Sequence, residues 1–272
     1  MDDSAPRASR PAPDGRRRMS FMQRLRANLP FGHGLGISGK DVERLVNDSG
    51  ADLWHVHAIT RRNFRRHACV ACDWLASALP RDAAIFEIAC GSGANLLWLA
   101  QKGFSRLYGI DIAPQAVRLS RELASLQGVA LNVRVDNALS PSFGEAQAGK
   151  PGVPPVFDGI LSLTWLYYIP GVELAEFLRI WRPYLGQGGI IVFEMITRRY
   201  DSIPNNQYHT DDWGLPASRR RPSEYRMRLD KSEVQRAAEQ CGYTHLRSLR
   251  LMTIITGKPE REVHMLRRAP DA

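Results

Sequence analysis

Gly91 and Gly93, two apart in Cys90-Gly91-Ser92-Gly93, stand between an apolar run (Ile85 to Ala89) and a second one starting at Leu96. A turn without side chains at those two positions lets a ligand lie against the backbone. Two acids accompany it. Glu87 interrupts the first run four residues before Gly91, and Asp111 follows Gly93 by eighteen, after Leu107-Tyr108-Gly109-Ile110. An acid at the tip of a second strand is placed to accept hydrogen bonds from both hydroxyls of a ribose. Glycines followed by that acid describe a nucleoside site. Two residues argue against a dinucleotide. Leu96 stands where a dinucleotide site wants a third small residue, to leave room for pyrophosphate. The Glu87 carboxylate repels a doubly charged phosphate and suits a ligand with a positive amine.

These groups need a strand, a turn and a helix in succession, then a second strand beside the first. Ile85 to Ala89 reads as a buried strand, and Leu96, Leu97, Leu99 and Ala100 as the start of a packed helix. Downstream the alternation continues as an α/β fold should. Ala116, Leu119, Leu123 and Leu126 make an amphipathic helix closed by Gly128, and Leu131, Val133 and Val135 alternate as a strand ending at Asp136-Asn137. Phe157 to Thr164 is the next strand, and Glu173 to Tyr184 the next helix. Leu185 to Gly189 reads as a glycine-rich turn into a strand from Ile190 to Met195. Asp230 and Glu233 form a capping box for a helix that Gly242 stops. Leu246 to Ile255 and Val263 to Leu266, on either side of Gly257-Lys258-Pro259, read as an antiparallel hairpin. Ahead of the first strand, residues 38–80 read as a helical cap, in which Phe64, Ala68, Ala71, Leu75 and Ala78 share one face of a helix ending at Pro80.

Glu87-x-x-x-Gly91-x-Gly93 and then Gly109-Ile110-Asp111-Ile112-Ala113-Pro114 resemble class I S-adenosylmethionine-dependent methyltransferases, over roughly Ile85 to Val192. The resemblance implies a Rossmann-like seven-stranded sheet, mostly parallel with a C-terminal antiparallel hairpin, with helices on both faces. It implies S-adenosyl-L-methionine as cofactor, held by Glu87, Gly91, Gly93, Asp111, Ile112, Asp136, Asn137 and Ser162, with Asp136 accepting from the adenine amino group. It also implies that the cap closes over the methionine part, which Arg61 or Arg62 would meet at its carboxylate. Trp54, His55 and His57 either line the site or are half-buried cap residues. After the strand at Phe157, enzymes of this superfamily that methylate adenine or glutamine nitrogen often carry Asn-Pro-Pro-Tyr; this chain has Thr164-Trp165-Leu166-Tyr167-Tyr168-Ile169-Pro170. That form resembles small-molecule methyltransferases, which often have a histidine where Tyr168 stands. Gln187 takes the place of a proline common in the family's glycine-rich turn.

Residues 196–229 are the expected acceptor lid. They hold Tyr200, Tyr208, Trp213 and Tyr225 together with seven arginines, at the carboxyl end of a parallel strand. Aromatics with arginines suit a sugar, carboxylate or phosphate. Tyr167, Trp213 and Arg221 are the candidates for acceptor binding. His209, Tyr168 and Glu194 are the candidates for handling a proton on an oxygen or nitrogen acceptor, His209 first and with His57 behind it.

The chain of 272 residues carries a net charge of +9 from 37 Lys/Arg and 28 Asp/Glu. Residues 1–40 hold eight Lys/Arg and three Asp, so +5 of that charge sits in the arm. Residues 1–37 read as a disordered basic arm, with Phe21, Met22, Leu25 and Leu29 as one face of a short helix that docks on the core or rests on a membrane surface. Residues 38–272 read as one methyltransferase domain. No apolar run approaches a membrane span or a secretory signal. Cys69 and Cys72 lack two further ligands at zinc spacing, so no metal is expected, and a reducing, cytoplasmic location is the default. The function expected is methyl transfer to a small-molecule or glycosylated acceptor. The alternatives are RNA methylation, suggested by the arm but without a visible RNA-binding module, and a non-catalytic binding protein that keeps the nucleoside fold.

Overall fold

The computed structural model describes residues 35–60, 65–142, 156–251 and 259–270. The expected strand-helix alternation forms one sheet. Its strands are β1 (Ala84–Ile88), β2 (Arg106–Asp111), β3 (Asn132–Val135), β4 (Phe157–Ser162), β5 (Leu185–Ile196), β6 (Tyr243–Leu251) and β7 (Arg261–Arg268), in the spatial order β3-β2-β1-β4-β5-β7-β6. The first five run parallel, and β7 lies antiparallel to both β5 and β6. The order of the parallel strands reverses between β1 and β4, so a crevice opens there at their carboxyl ends.

Successive side chains on a strand point to opposite faces. Ile85, Leu107, Leu161 and Val192 pack on one side, against helices α3 (Arg66–Ala78), α4 (Ala94–Gln101) and α5 (Pro114–Leu126). Phe86, Ile110, Ile160 and Phe193 pack on the other, against α6 (Leu174–Trp181) and α7 (Lys231–Gln240). Glu87 shares the parity of Ile85 and so points toward the α4 side.

The cap consists of α1 (Gly39–Ser49), α2 (Trp54–Thr60) and α3. Ser38 accepts from the Asp41 N–H to begin α1, and Gly50, left-handed at φ 67°, ends it. The Asp230–Glu233 capping box is present at the start of α7. Cys69 and Cys72 are buried in α3.

Several boundaries differ from the sequence reading. The segment read as a glycine turn, Leu185 to Gly189, belongs to β5: Phe157 pairs with Leu185, then a register shift brings Gly159 opposite Ile190. Only Leu185 of these residues has a partner on β4; Gly186 to Gly189 fall in the shift, with Gly188 left-handed at φ 71°. The helix expected from Glu173 to Tyr184 tightens after Trp181 into a 3₁₀ turn over Arg182–Tyr184, where Pro183 cannot donate an α-helical bond. β6 starts earlier than expected, at Tyr243. Phe21 to Leu29, Arg61, Arg62, Phe64, Gly257 and Lys258 lie outside the described residues. Among the described residues no helix is long and apolar enough to cross a membrane.

Candidate active site

Between β1 and α4 the chain reverses in five residues, and three of them are left-handed: Ala89 at φ 53°, Gly91 at φ 54° and Gly93 at φ 69°. The two glycines serve different neighbours. A Cβ on Gly93 would come within 2.3 Å of Ser120 Oγ on α5, so this glycine is required for helix packing. A Cβ on Gly91 would face the cap, 3.2 Å from His55 Cε1 and 3.8 Å from Trp54, so this glycine lets the cap close on the turn. The turn is held by Cys90 N–H to Ile110 O and Gly93 N–H to Cys90 O, both 2.8 Å.

Asp111, at the tip of β2, is oriented by two backbone donors: Gly91 N–H to Oδ2 at 2.8 Å and Ala113 N–H to Oδ1 at 2.9 Å. Each oxygen retains a lone pair for a ligand hydroxyl. Glu87 is buried and accepts from Asn95 Nδ2 on α4 at 2.6 Å. Across the crevice, Thr164 follows β4 in a left-handed conformation, φ 62°. It is held by Glu194 Oε1, which accepts from its N–H at 2.8 Å, and by Arg65, which donates to its Oγ1 at 3.0 Å. Two non-glycine residues in this strained region, Ala89 and Thr164, flank one crevice, and such strain collects at functional sites.

These groups wall one cavity of about 650 Å³, within the range of small-ligand sites. Its floor is Glu87, Ala89, Gly91 and Asp111, its far wall Thr164, Trp165 and Ile169, and its roof Trp54, His55 and Arg65 from the cap. Ile112, 70 % exposed, stands on the rim. Burial holds the His55 imidazole below its ordinary value, against the raising influence of Asp111 and Asp52.

The remaining sequence candidates lie outside that lining. Asp136 is engaged by its own loop: Asn137 N–H donates at 2.8 Å, Ser142 Oγ and Arg134 each at 3.1 Å. Burial pushes its carboxyl up, but hydrogen bonds from Ser142, Asn137 and Arg134 outweigh this and leave it below the ordinary carboxylate value. Asn137 is exposed, and its Oδ1 accepts from Leu139 N–H. Ser162 is buried, and its Oγ accepts from Trp165 Nε1 at 2.8 Å.

Glu194 and Tyr167 do not reach the crevice surface as expected. Glu194 has no exposed side-chain area; its Oε1 accepts from Thr164 N–H, Tyr167 OH and Arg261. Tyr167 is wholly buried, and burial pushes its phenol far up. Burial pulls the Arg261 guanidinium down, but Tyr167 and Glu194 beside it carry it above its ordinary value. Tyr168 is 38 % exposed and packs on Tyr225, with ring centroids 5.6 Å apart.

In the segment 196–229, Arg221 chelates the buried Asp212, with Nε to Oδ2 and Nη2 to Oδ1 both 2.8 Å. Trp213 is half-buried and donates to Tyr208 O at 3.3 Å. His209 Nδ1 accepts from Asp211 N–H at 3.3 Å, and the residue lies outside the cavity lining. His57 lies in α2 and is absent from the cavity wall.

Sequence reasoning passed over Asn95, Thr164 and Arg261. An amide in the first turn of the helix after a glycine loop, facing a buried strand acid, was a usable signal for Asn95. Nothing in the sequence marks a threonine as left-handed.

Residues 85–189 match the family model described as a methyltransferase domain. The fold is similar to that of solved methyltransferases. One is an S-adenosylmethionine-dependent methyltransferase from Methanosarcina mazei, 20% identical over 73% of this chain and 98% of that one, with a TM-score of 0.58. The chain has the class I S-adenosylmethionine-dependent methyltransferase fold. A second likeness is to magnesium protoporphyrin IX methyltransferase from Synechocystis, solved with bound S-adenosylhomocysteine: 15% identical, covering 85% of this chain and 94% of that one, TM-score 0.56. At such identities the likeness is one of fold.

Among curated relatives, EEF1A lysine methyltransferase 2 of Mus musculus is 37% identical over 65 residues, 24% of this chain and 27% of the relative. Ribosomal protein L11 methyltransferase of Bordetella bronchiseptica is 30% identical over 104 residues, 36% of this chain and 33% of the relative. The chain therefore spans between a quarter and a third of the length of these relatives. The cofactor of this methyltransferase domain is S-adenosylmethionine. The cavity fits it: one carboxylate held by two backbone donors suits ribose hydroxyls, and a second, buried one suits an amine.

Proposed function

We propose that this methyltransferase fold transfers a methyl group to an oxygen or nitrogen of a small-molecule or sugar-containing acceptor. The observation that carries the proposal is the continuity between the cofactor cavity and the segment 196–229. Thr164, Trp165 and Ile169 line the cavity. The residues between them bear that segment: Tyr167 O accepts from Arg226 N–H at 2.7 Å, and Tyr168 packs on Tyr225. An acceptor lying against Tyr168 would meet the cavity at its open side, under the segment.

When bound, the cofactor supplies a methyl already electrophilic on a sulfonium. The chain's task is to position the acceptor in line with it and to exclude water. In this reading Asp111 accepts from the ribose hydroxyls, Glu87 faces the amine, and Ile112 covers the adenine. Glu194 acts as an anchor: it holds Thr164 in place and exchanges no proton with the acceptor. Tyr168, whose side chain reaches the surface, hydrogen-bonds the acceptor. Trp213 shapes the segment, and Arg221 supports it through Asp212. Asp136, Asn137 and Ser162 keep the proposed cofactor side of the crevice in shape through their loop bonds.

A second reading is a protein acceptor, favoured by the names of the two curated relatives. The experiment is methyl transfer from labelled S-adenosylmethionine into cell extract, resolved into small molecules, protein and nucleic acid, with and without nuclease. Label in the small-molecule fraction is the expected result. Label retained by protein overturns the acceptor class, nuclease-sensitive label points to RNA, and cofactor binding without transfer to any fraction leaves a binding protein.

A further inference from the structure

The acids around the cofactor cavity, Asp52, Glu87 and Asp111, suit hydroxyls and an amine. The amino-acid end of the cofactor also carries a carboxylate, and this needs donors. On the roof, Arg65 is tied to Thr164 Oγ1. His55 also stands on the roof. It is 4% exposed, and among the described residues its Nδ1 has no hydrogen-bond partner. Buried polar atoms in folded proteins are nearly always satisfied, so such an atom in a cavity wall points to a ligand.

The ring is fixed in place. Trp54 stacks on it with centroids 4.1 Å apart and planes 30° from parallel. The ring lies directly over the glycine turn: a Cβ on Gly91 would sit 3.8 Å from Nδ1. We infer that His55, donating through Nδ1, binds the carboxylate of the cofactor's amino-acid end. Cap and glycine turn then close on that end from opposite sides, with Glu87 taking the amine and His55 the carboxylate.

The inference rests on reading the cavity as the cofactor site, and the test separates the two. S-Adenosylhomocysteine carries the amino-acid end; 5′-methylthioadenosine keeps the nucleoside and lacks that end. Calorimetry of both against wild type, His55→Phe and His55→Asn needs no acceptor. Phenylalanine keeps the ring on Trp54 and removes the donor. Its affinity for S-adenosylhomocysteine should fall roughly tenfold or more, the scale for a hydrogen bond to a charged group, with the affinity for methylthioadenosine within about threefold of wild type. Asparagine, whose amide offers a donor near the place of Nδ1, should recover part of the loss.

Equal losses for both ligands in His55→Phe, or no loss for either, would overturn the inference. If His55→Phe melts early, His55→Asn carries the test with S-adenosylhomocysteine and its decarboxylated analogue: removing the carboxylate must cost the variant less affinity than it costs wild type. Failure of the wild type to bind either nucleoside would overturn the cofactor reading itself, and the inference with it.

Discussion

Replacing Asp111 by alanine removes two kinds of interaction at once, and the structure separates their sizes. In the protein alone the carboxylate tethers the glycine turn through Gly91 N–H and the start of α5 through Ala113 N–H. Asp111 is only partly buried, so water replaces some of what is lost. The two bonds together should be worth about 1–3 kcal/mol of stability. For a chain of this size that is a fall of about 2–10 °C in melting temperature. Against the cofactor, the same side chain is assigned the ribose hydroxyls. A hydrogen bond to a charged group contributes about 1.5–3 kcal/mol, so S-adenosylhomocysteine should bind roughly 10- to 150-fold more weakly. Asp111→Asn keeps one acceptor oxygen and loses the other, so it should fall between wild type and alanine on both scales. The assays are calorimetry with S-adenosylhomocysteine and a thermal melt on the same samples. Asp111→Ala that melts lower yet binds the nucleoside within about threefold of wild type would refute the reasoning: the acid would then be a tether for the turn and not a ligand.

Three further outcomes follow from other parts of the molecule. Glu194→Ala leaves Arg261 without its carboxylate and should destabilise the fold by about 3–5 kcal/mol; an unchanged urea midpoint would show that the anchor is dispensable. Burial holds His264 down at about 3, so the native ring stays neutral while the unfolded ring takes a proton below its ordinary value near 6.5; stability should therefore decline as pH falls from about 6.5 toward 3, and His264→Leu should flatten that limb between pH 7 and 5 in urea titrations. His245, 3.3 Å away, is held down by burial too and adds to the same limb, with Lys231 the cation acting on both. A chain starting at Leu35 should melt near the full-length temperature and keep its affinity for S-adenosylhomocysteine, and loss of folding on that truncation would show that Phe21 to Leu29 belongs to the core.

The cofactor end of the site was legible because its chemistry is local. Glu87, Gly91, Gly93 and Asp111 lie within one strand-helix-strand unit, where spacing alone fixes which residues share an edge. The fold was legible for a similar reason, since each strand and helix announces itself by its own period. Boundaries were less so where a strand begins with an irregular stretch, as at Leu185 to Gly189, of which only Leu185 pairs before the register shifts. The other side of the crevice was not legible. Glu194 reads as an acid ending a strand at the crevice, but its partners Tyr167 and Arg261 come 27 residues before it and 67 after it, and only the fold brings them together. Arg221 reads as a ligand-seeking cation, and its chelation by Asp212 follows from the way residues 209–221 fold back on themselves. Sequence identifies a charged side chain without saying whether a ligand or a neighbour neutralises it.

The position of β7 has a consequence for how the protein is made. The chain enters β5 and later β6, yet these two strands never touch; β7 lies between them. A nascent chain that has emerged only as far as residue 251 therefore carries two strand edges waiting for the same partner, one of them the apolar Ile190–Ile196 stretch. Unpaired edges of this kind are templates for another copy. The same strand delivers Arg261, so until it arrives Glu194 is enclosed without its main countercharge. Sheet closure and charge neutralisation thus wait for the same eight residues. Translation pauses or early termination just before Arg261 should yield aggregating rather than merely inactive protein, and a peptide of residues 259–270 supplied in trans is the segment that would complete both at once.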